Sequence, residues 1–357
     1  MKHVLVTGGA GFIGSNFVRH ILSTQPEIQL LNLDALTYAG SLENLQDLPN
    51  SENHTFVHGN ICDSELIERL LKEHDIDTIV HFAAESHVDR SILGPASFIQ
   101  TNLVGTFSLL DSARQVWGAD GGFAGRHFHH VSTDEVYGTL KQGDPPFCET
   151  TPYDPHSPYS ATKAGSDHLV RAYFHTFGLP VTLTNCSNNY GPYQFPEKLI
   201  PLVIINALQG KPLPIYGDGL QVRDWLFVAD HYEAIVRVLE AGHTGSTYNI
   251  GGGNQPANIE IVRQICAILD VFLPEESPRE RLITYVPDRP GHDRRYAMDI
   301  THISTELGWL PRHNLEEGLR LTVEWYLSHS EWVEAISRQS TFTKWLDANY
   351  RQRGGME

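Results

Sequence analysis

Two short runs in this chain carry side chains able to move protons. In Tyr159-Ser160-Ala161-Thr162-Lys163 a phenol and an ammonium stand four residues apart, which on a helix stacks them on one face. A phenol with an ordinary pKa of about 10 becomes a usable base near neutrality only beside positive charge, and Lys163 can supply it. In Thr133-Asp134-Glu135 two carboxylates are adjacent. Like charges held together push their pKa values apart, which yields one protonated acid and one ionised base. Moving a hydride needs no such pair, whereas eliminating water does.

A third run binds rather than reacts. Thr7-Gly8-Gly9-Ala10-Gly11-Phe12-Ile13-Gly14 satisfies G-x-G-x-x-G through Gly9, Gly11 and Gly14, and G-x-x-G-x-x-G through Gly8, Gly11 and Gly14. It falls where an apolar run becomes an amphipathic helix. Glycines there allow a tight turn and let backbone N–H groups and a helix N-terminus approach a pyrophosphate. Asp34, twenty residues beyond Gly14, ends the next apolar run, where an acid bonds ribose hydroxyls. No Lys or Arg occurs in the following Ala35-Leu36-Thr37-Tyr38, so a 2′-phosphate would meet a carboxylate without counter-charge. The expected cofactor is therefore NAD rather than NADP. Asn60-Ile61 is expected at the adenine edge, and Ala83-Ala84-Glu85-Ser86 along the cofactor path.

These runs need a sheet to hold them. Strands are predicted at 3–7, 28–34, 54–59, 78–84, 127–133 and 180–185, alternating with helical patterns, which is the rhythm of a parallel sheet with crossover helices. Ile13, Phe17 and Ile21 recur every four residues with Val18 and Leu22 beside them, giving a helix with one apolar face. Two longer helical stretches, about 95–117 and 157–178, carry apolar residues over more than one face, which predicts a homodimer through these two helices. After residue 186 Pro/Gly-rich pieces interrupt the rhythm. The expected fold is α/β, a Rossmann-type doubly wound parallel sheet with a smaller, discontinuous C-terminal α/β substrate lobe. Residues 1–186 would form the dinucleotide-binding domain, with about 225–250 returning to it, and 187–357 mainly the second lobe.

Composition limits the partners. The 357 residues carry 26 Lys+Arg against 43 Asp+Glu, a formal charge of −17 that repels nucleic-acid phosphate and anionic lipid. Cys62, Cys148, Cys186 and Cys266 have neither disulfide-framework nor zinc spacing, and no apolar run is long enough to span a bilayer. The opening MKHVLVTGGAGFIG turns to glycine too early for a signal peptide, so a cytoplasmic protein is expected. The histidines of HFHHVST at 127–133 invite a metal reading, but their alternation suits a strand of hydrogen-bonded histidines better, and no metal is expected.

TGGAGFIGSN, AAESHVDRSI, FIQTNLVGT, VSTDEVYG, SPYSATKAGSDHLV, NCSNNYGPYQFPEKLIP, QVRDWLFVADH and DRPGHDRRYAMD occur in this order. In these segments the chain resembles the extended short-chain dehydrogenase/reductase family over nearly its whole length, with Thr133-Asp134-Glu135 the most specific match. The resemblance implies a nucleotide-sugar substrate, dTDP-glucose, and a catalytic constellation of Thr133, Asp134, Glu135, Tyr159 and Lys163. Tyr159 would take the C4-hydroxyl proton as hydride passes to NAD, with Thr133 hydrogen-bonding the oxygen. Glu135 would take the C5 proton while Asp134 protonates the departing C6 hydroxyl, and hydride would return to C6.

By the same resemblance NAD would lie along Gly8, Gly11, Phe12, Ile13, Gly14, Asp34, Ala35, Leu36, Thr37, Asn60, Ile61, Phe82, Ala83, Ala84, Ser86, Thr101, Tyr159, Lys163 and Asn189. The nucleotide-sugar would meet Ser86, Thr133, Asn188, Lys198, Leu199, Pro214, Tyr216, Arg223, Asn258, Arg289 and His292, with Arg294, Arg295 and Tyr296 as weaker candidates. Lys198, Arg223 and Arg289 would neutralise a diphosphate. Two features depart from the family pattern: Asn60 stands where many relatives have Asp, and the glycine-rich stretch Trp117 to Arg126 reads as a surface insertion. A UDP- or CDP-sugar dehydratase, a 4-epimerase, a decarboxylase and a non-catalytic NAD-sensing protein remain alternatives.

Overall fold

A computed structural model describes residues 1–119 and 121–338 of the chain. The part of the expected second lobe beyond residue 338, and residue 120 of the glycine-rich stretch, lie outside the described residues.

Eleven strands occur among the described residues: β1 (His3–Thr7), β2 (Gln29–Asp34), β3 (His54–His58), β4 (Thr78–His81), β5 (His127–Thr133), β6 (Val181–Cys186), β7 (Asn188–Tyr190), β8 (Leu213–Tyr216), β9 (Trp225–Phe227), β10 (Thr247–Ile250) and β11 (Ile283–Val286). Seven of them form one parallel sheet in the order β10-β6-β5-β4-β1-β2-β3. The chain runs outward from β1 through β2 to β3, then returns to lay β4 on the other side of β1. That reversal opens a crevice beyond the carboxyl ends of β1 and β4, where doubly wound sheets bind ligands.

Apolar layers fix the sheet between helices. On one face Phe17, Val18, Ile21 and Leu22 of the helix Phe12–Thr24 meet Ile235 and Val236 of the helix Val228–Ala241. On the other, Leu109, Leu110 and Val170 come from the helices Thr106–Ala119 and Pro158–Phe177. The histidines of β5 are hydrogen-bonded within this fold: His129 Nδ1 and Nε2 lie 2.8 and 3.2 Å from the hydroxyls of Thr182 and Thr184. Burial drives His129 and His130 well below the usual histidine range, so both are neutral.

A second hydrophobic cluster stands beyond the sheet. The helix Leu199–Leu208 (LIPLVIINAL) is apolar all round and correspondingly buried, lying among the helices Asn258–Phe272 and Leu315–Ser328. Two strand pairs, β8 with β11 and β7 with β9, border it.

Two local features differ from the sequence expectation. The stretch 95–117 is helical but contains a π-helical segment, Ile99–Gly105, of the kind often found beside functional sites. Within it Asn102 clasps the backbone of Glu85, accepting from its N–H (2.9 Å) and donating to its C=O (3.0 Å). The glycine-rich stretch is not wholly a surface insertion: it starts on the buried Trp117, whose indole donates to Ile76 O at 2.9 Å, and Arg126 reaches the same carbonyl at 2.8 Å.

Candidate active site

The two clusters face each other across a cleft of about 430 Å³, within the usual range for small-molecule sites. At one end lies the glycine turn. A Cβ on Gly14 would sit 2.3 Å from Gly8 O, and one on Gly8, where φ is +75°, would strike the Ala83 backbone at 2.6 Å. Gly11 differs, since a Cβ there would meet only Gly8 O at 3.2 Å and otherwise point into open space. The turn is thus tight where it faces the protein and open where a phosphate would approach. Asp34, buried beside it, accepts backbone N–H bonds from Ala10 (2.9 Å) and Leu36 (2.8 Å), which fix its carboxylate at the rim. Burial nevertheless raises its pKa. These residues fit a dinucleotide.

The helix Pro158–Phe177 brings in the phenol and the ammonium. Ser157 caps it by accepting from Ser160 N at 3.0 Å, and Pro158 occupies its first position. Gly178, at φ +70°, closes its other end in the left-handed conformation. Tyr159 therefore sits in the first helical turn, with Lys163 one turn below. Lys163 Nζ donates to Val131 O at 2.8 Å, and burial lowers its pKa to about 8. Tyr159 is pushed well above the ordinary phenol range, first by burial and next by Glu135, while a hydrogen bond with Thr133 works the other way. In the protein alone the phenol is neutral, so its ionisation needs positive charge beyond Lys163.

The carboxylate pair is set by the end of β5. Thr133 caps the short helix Asp134–Tyr137, its hydroxyl accepting from Glu135 N at 3.3 Å. Asp134 is enclosed, and its pKa is raised well above the carboxylate range by burial, then by Glu135 and Asp224. Glu135 keeps part of its surface open to the cleft; burial raises it too, but Arg289, Lys198 and Arg223 oppose the shift. Both carboxyls are raised, but the cations hold Glu135 back where nothing comparable restrains Asp134, so the two are unequal and Asp134 is the one that holds a proton more readily. Asp134 Oδ2 has no protein partner and lines the cleft.

At the other end lie the cations. Lys198 Nζ donates to Ser86 O (3.0 Å), Arg223 to Asp293 O (2.8 Å), and Arg289 comes within 3.6 Å of Asp89. Each is tethered with its charge turned toward one space. Asn188 Oδ1 and Asn258 Oδ1 are buried there without protein partners, and Tyr216 OH donates to Asp89 at 3.1 Å. His292, whose Nδ1 is 2.5 Å from Asp288, is lowered to about 4, chiefly by burial and then by Arg289.

Every candidate catalytic, cofactor and substrate residue lines this cleft except Leu36. Leu36 takes a left-handed backbone at φ 48°, and it serves through its N–H on Asp34 rather than by lining the site. Asn60 lines the cleft, and its amide oxygen accepts from Cys62 N at 2.9 Å, which fixes the side chain while leaving a second lone pair free to accept. Of the weaker candidates, Arg294 pairs with Asp218 at 2.9 Å and Arg295 with Gln255 at 2.7 Å, both outside the cleft wall. Tyr296 lies beneath Arg223, whose guanidinium is 4.2 Å from its ring centre. Sequence reasoning missed Glu197 and Tyr38, which line the cleft and share Arg90: the carboxylate at 3.0 Å and the ring centre at 3.9 Å. Their only signal was adjacency to Lys198 and to the Asp34 loop.

A glycine turn at the switch point of a parallel sheet, feeding a Tyr-x-x-x-Lys helix, defines an extended short-chain dehydrogenase/reductase. A family model described as GDP-mannose 4,6 dehydratase matches residues 5–322. The chain belongs to the dTDP-glucose 4,6-dehydratase family. It is 55% identical over 360 residues to the dTDP-glucose 4,6-dehydratase of Shigella flexneri, covering 98% of this chain and 99% of that one. With the enzyme of the same name from Xanthomonas campestris pv. campestris (strain B100) it shares 58% over 351 residues, 97% of each chain. The solved dTDP-glucose 4,6-dehydratase of Bacillus anthracis str. Ames, in complex with NAD, superposes with a TM-score of 0.84 at 45% identity, covering 94% of this chain and 100% of that one.

Proposed function

We propose that this cleft converts dTDP-glucose to dTDP-4-keto-6-deoxy-glucose with NAD retained between turnovers. The observation that carries the reading is the division of Asp134 and Glu135 into an enclosed acid and an open, cation-flanked base beside Tyr159. NAD, held along the glycine turn and Asp34, would supply the acceptor and later the donor of hydride. Tyr159 takes the proton of the C4 hydroxyl, and Thr133 hydrogen-bonds the oxygen. The ammonium of Lys163 stabilises the phenolate that Tyr159 needs. With C4 oxidised, the C5 proton is acidified and passes to Glu135, while Asp134 gives its proton to the C6 oxygen, which leaves as water; the C5–C6 double bond left behind would gain hydride at C6 from the reduced cofactor and a proton at C5 from Glu135, giving the 4-keto-6-deoxy sugar. Lys198, Arg223 and Arg289 hold the diphosphate and keep Glu135 ionised in the same gesture.

Two further readings belong here. A homodimer is supported by Ile99, Val104, Phe107 and Phe177 of the two long helical stretches, which are 50, 38, 46 and 46% exposed. A cytoplasmic setting is supported by four free cysteines and the acidic composition; among the described residues no helix is long and apolar enough to cross a membrane.

Incubation of the purified protein with dTDP-glucose and no added coenzyme tests the reading. It predicts a product lighter by one water, observed by mass; recovery of only C4 epimers or unchanged sugar contradicts it.

A further inference from the structure

Beneath Lys163, on the side away from the cleft, lies a carboxylate that the proposed reaction does not use. Asp167 is one helical turn beyond Lys163 and wholly buried. Its Oδ2 accepts from Ser132 Oγ and Tyr153 OH, both at 2.9 Å, and from Asn185 Nδ2 at 3.3 Å. Its Oδ1 faces the imidazole of His130, 3.3 Å away at Nε2, and that same nitrogen is 3.4 Å from Lys163 Nζ. A ring from β5 thus stands between an ammonium and a carboxylate of one helix face.

The groups packed around this pair are mostly neutral. From β4, His81 is held between the hydroxyls of Thr7 (2.8 Å) and Thr106 (3.0 Å) and is driven down by burial, so it is neutral. From β5, His130 is neutral for the same reason. From β6, Cys186 is pushed up to about 12 by burial and stays a thiol. The phenols of Tyr137 and Tyr153 are likewise raised and neutral. Arg171 is the other charge nearby, donating to Tyr153 OH at 2.9 Å and Thr247 Oγ1 at 3.3 Å. Around Lys163 the neighbouring residue that raises its pKa most is Asp167, acting against burial. Burial raises the pKa of Asp167, and Lys163 first, then the donors Ser132 and Tyr153 and the charge of Arg171, work against it in favour of the carboxylate.

We propose that Asp167 is a positioning residue for the oxidation step: a buried counter-charge, acting across the ring of His130, that keeps the proton on Lys163 while Tyr159 acts as base. The proposal rests on the reading of Tyr159 and Lys163 given above. It separates their roles, with Lys163 acting on the phenol and Asp167 acting only on Lys163.

The sign of the effect follows. Lys163 loses its proton as pH rises, and with it the field that makes Tyr159 ionisable, so the oxidation rate has an alkaline limb. Without the negative charge of Asp167 the ammonium is less favoured and that limb moves to lower pH.

The test is the rate of cofactor reduction on mixing the NAD-loaded protein with dTDP-glucose, followed from pH 6 to pH 10 in the wild type and in Asp167→Asn, which keeps the shape and most hydrogen bonds. The expected result is an alkaline limb lower by about one pH unit or more, hence a roughly tenfold or greater loss at high pH, with a near wild-type rate at the acid end. A loss of the same factor at every pH, or an unmoved limb, overturns the proposal. Tyr153→Phe covers the case in which Asp167→Asn does not fold. It removes one of the donors that stabilise the Asp167 carboxylate, so the negative charge is less favoured and the limb should move down, by less than in Asp167→Asn; an unchanged or raised limb overturns the proposal. Tyr159→Phe, measured alongside, distinguishes the two failures: a surviving oxidation there refutes the base assignment itself, whatever Asp167 does.

Discussion

The two ends of the cleft are built on opposite plans. The end proposed for the cofactor is mostly backbone: a glycine turn, a helix N-terminus and one carboxylate fixed by two N–H groups, contributed by a stretch of about thirty residues. The end proposed for the sugar-nucleotide is mostly side chain. Lys198, Arg223 and Arg289 come from three distant segments, and each is aimed by a contact with another segment, through Ser86 O, Asp293 O or Asp89. The difference teaches where each end is vulnerable. A backbone site fails through a single added atom, whereas a side-chain site loses affinity in increments.

The largest effect is expected where the two ends meet. Tyr159→Phe removes the hydroxyl proposed to take the C4 proton, and a general base contributes about 10²–10⁴-fold, so cofactor reduction on mixing should fall by that order in stopped-flow absorbance. Gly14→Ala should come next. Its Cβ would press on Gly8 O at 2.3 Å, and relieving an overpacked contact costs about 1–3 kcal/mol, so NAD affinity measured by calorimetry should fall about 10- to 100-fold. Arg289→Ala should do less at the other end. Loss of one charge-assisted contact predicts a rise in KM for dTDP-glucose of roughly tenfold, with NAD affinity unchanged. If Gly14→Ala is mild and Arg289→Ala abolishes binding outright, the contrast between the two ends is wrong.

The same contrast explains what was readable in the chain alone. The strands of the large sheet were legible because each apolar run is local and bounded, and β1 and β5 begin and end where alternation predicts. The glycine turn was legible because its function resides in consecutive backbone. The π-helical segment was not, since Ile99–Gly105 mixes polar and apolar residues as an ordinary helix does, and the clasp of Asn102 on Glu85, seventeen residues away, is set by the tertiary fold. The backbone role of Leu36 toward Asp34 was not legible, because a left-handed backbone at a leucine leaves no compositional sign. Glu197 escaped notice because its partners, Arg90 and the neighbourhood of Tyr38, are set by the tertiary fold. The small pairings of β7 with β9 and β8 with β11 are short and flanked by prolines and glycines, which masks their periodicity.

The pair at the end of β5 decides between moving a hydride and losing water. Asp134→Asn deletes the acid for the C6 oxygen, so product formation should slow while exchange of the C5 proton with solvent deuterium is less affected. Glu135→Gln is the most direct test, because it keeps the size of the side chain and removes the one group assigned to the C5 proton. The account predicts that dehydration and C5 exchange, followed by mass and proton NMR in deuterium oxide, fall about 10²–10⁴-fold while cofactor reduction on mixing persists. Full dehydratase turnover in Glu135→Gln would contradict it.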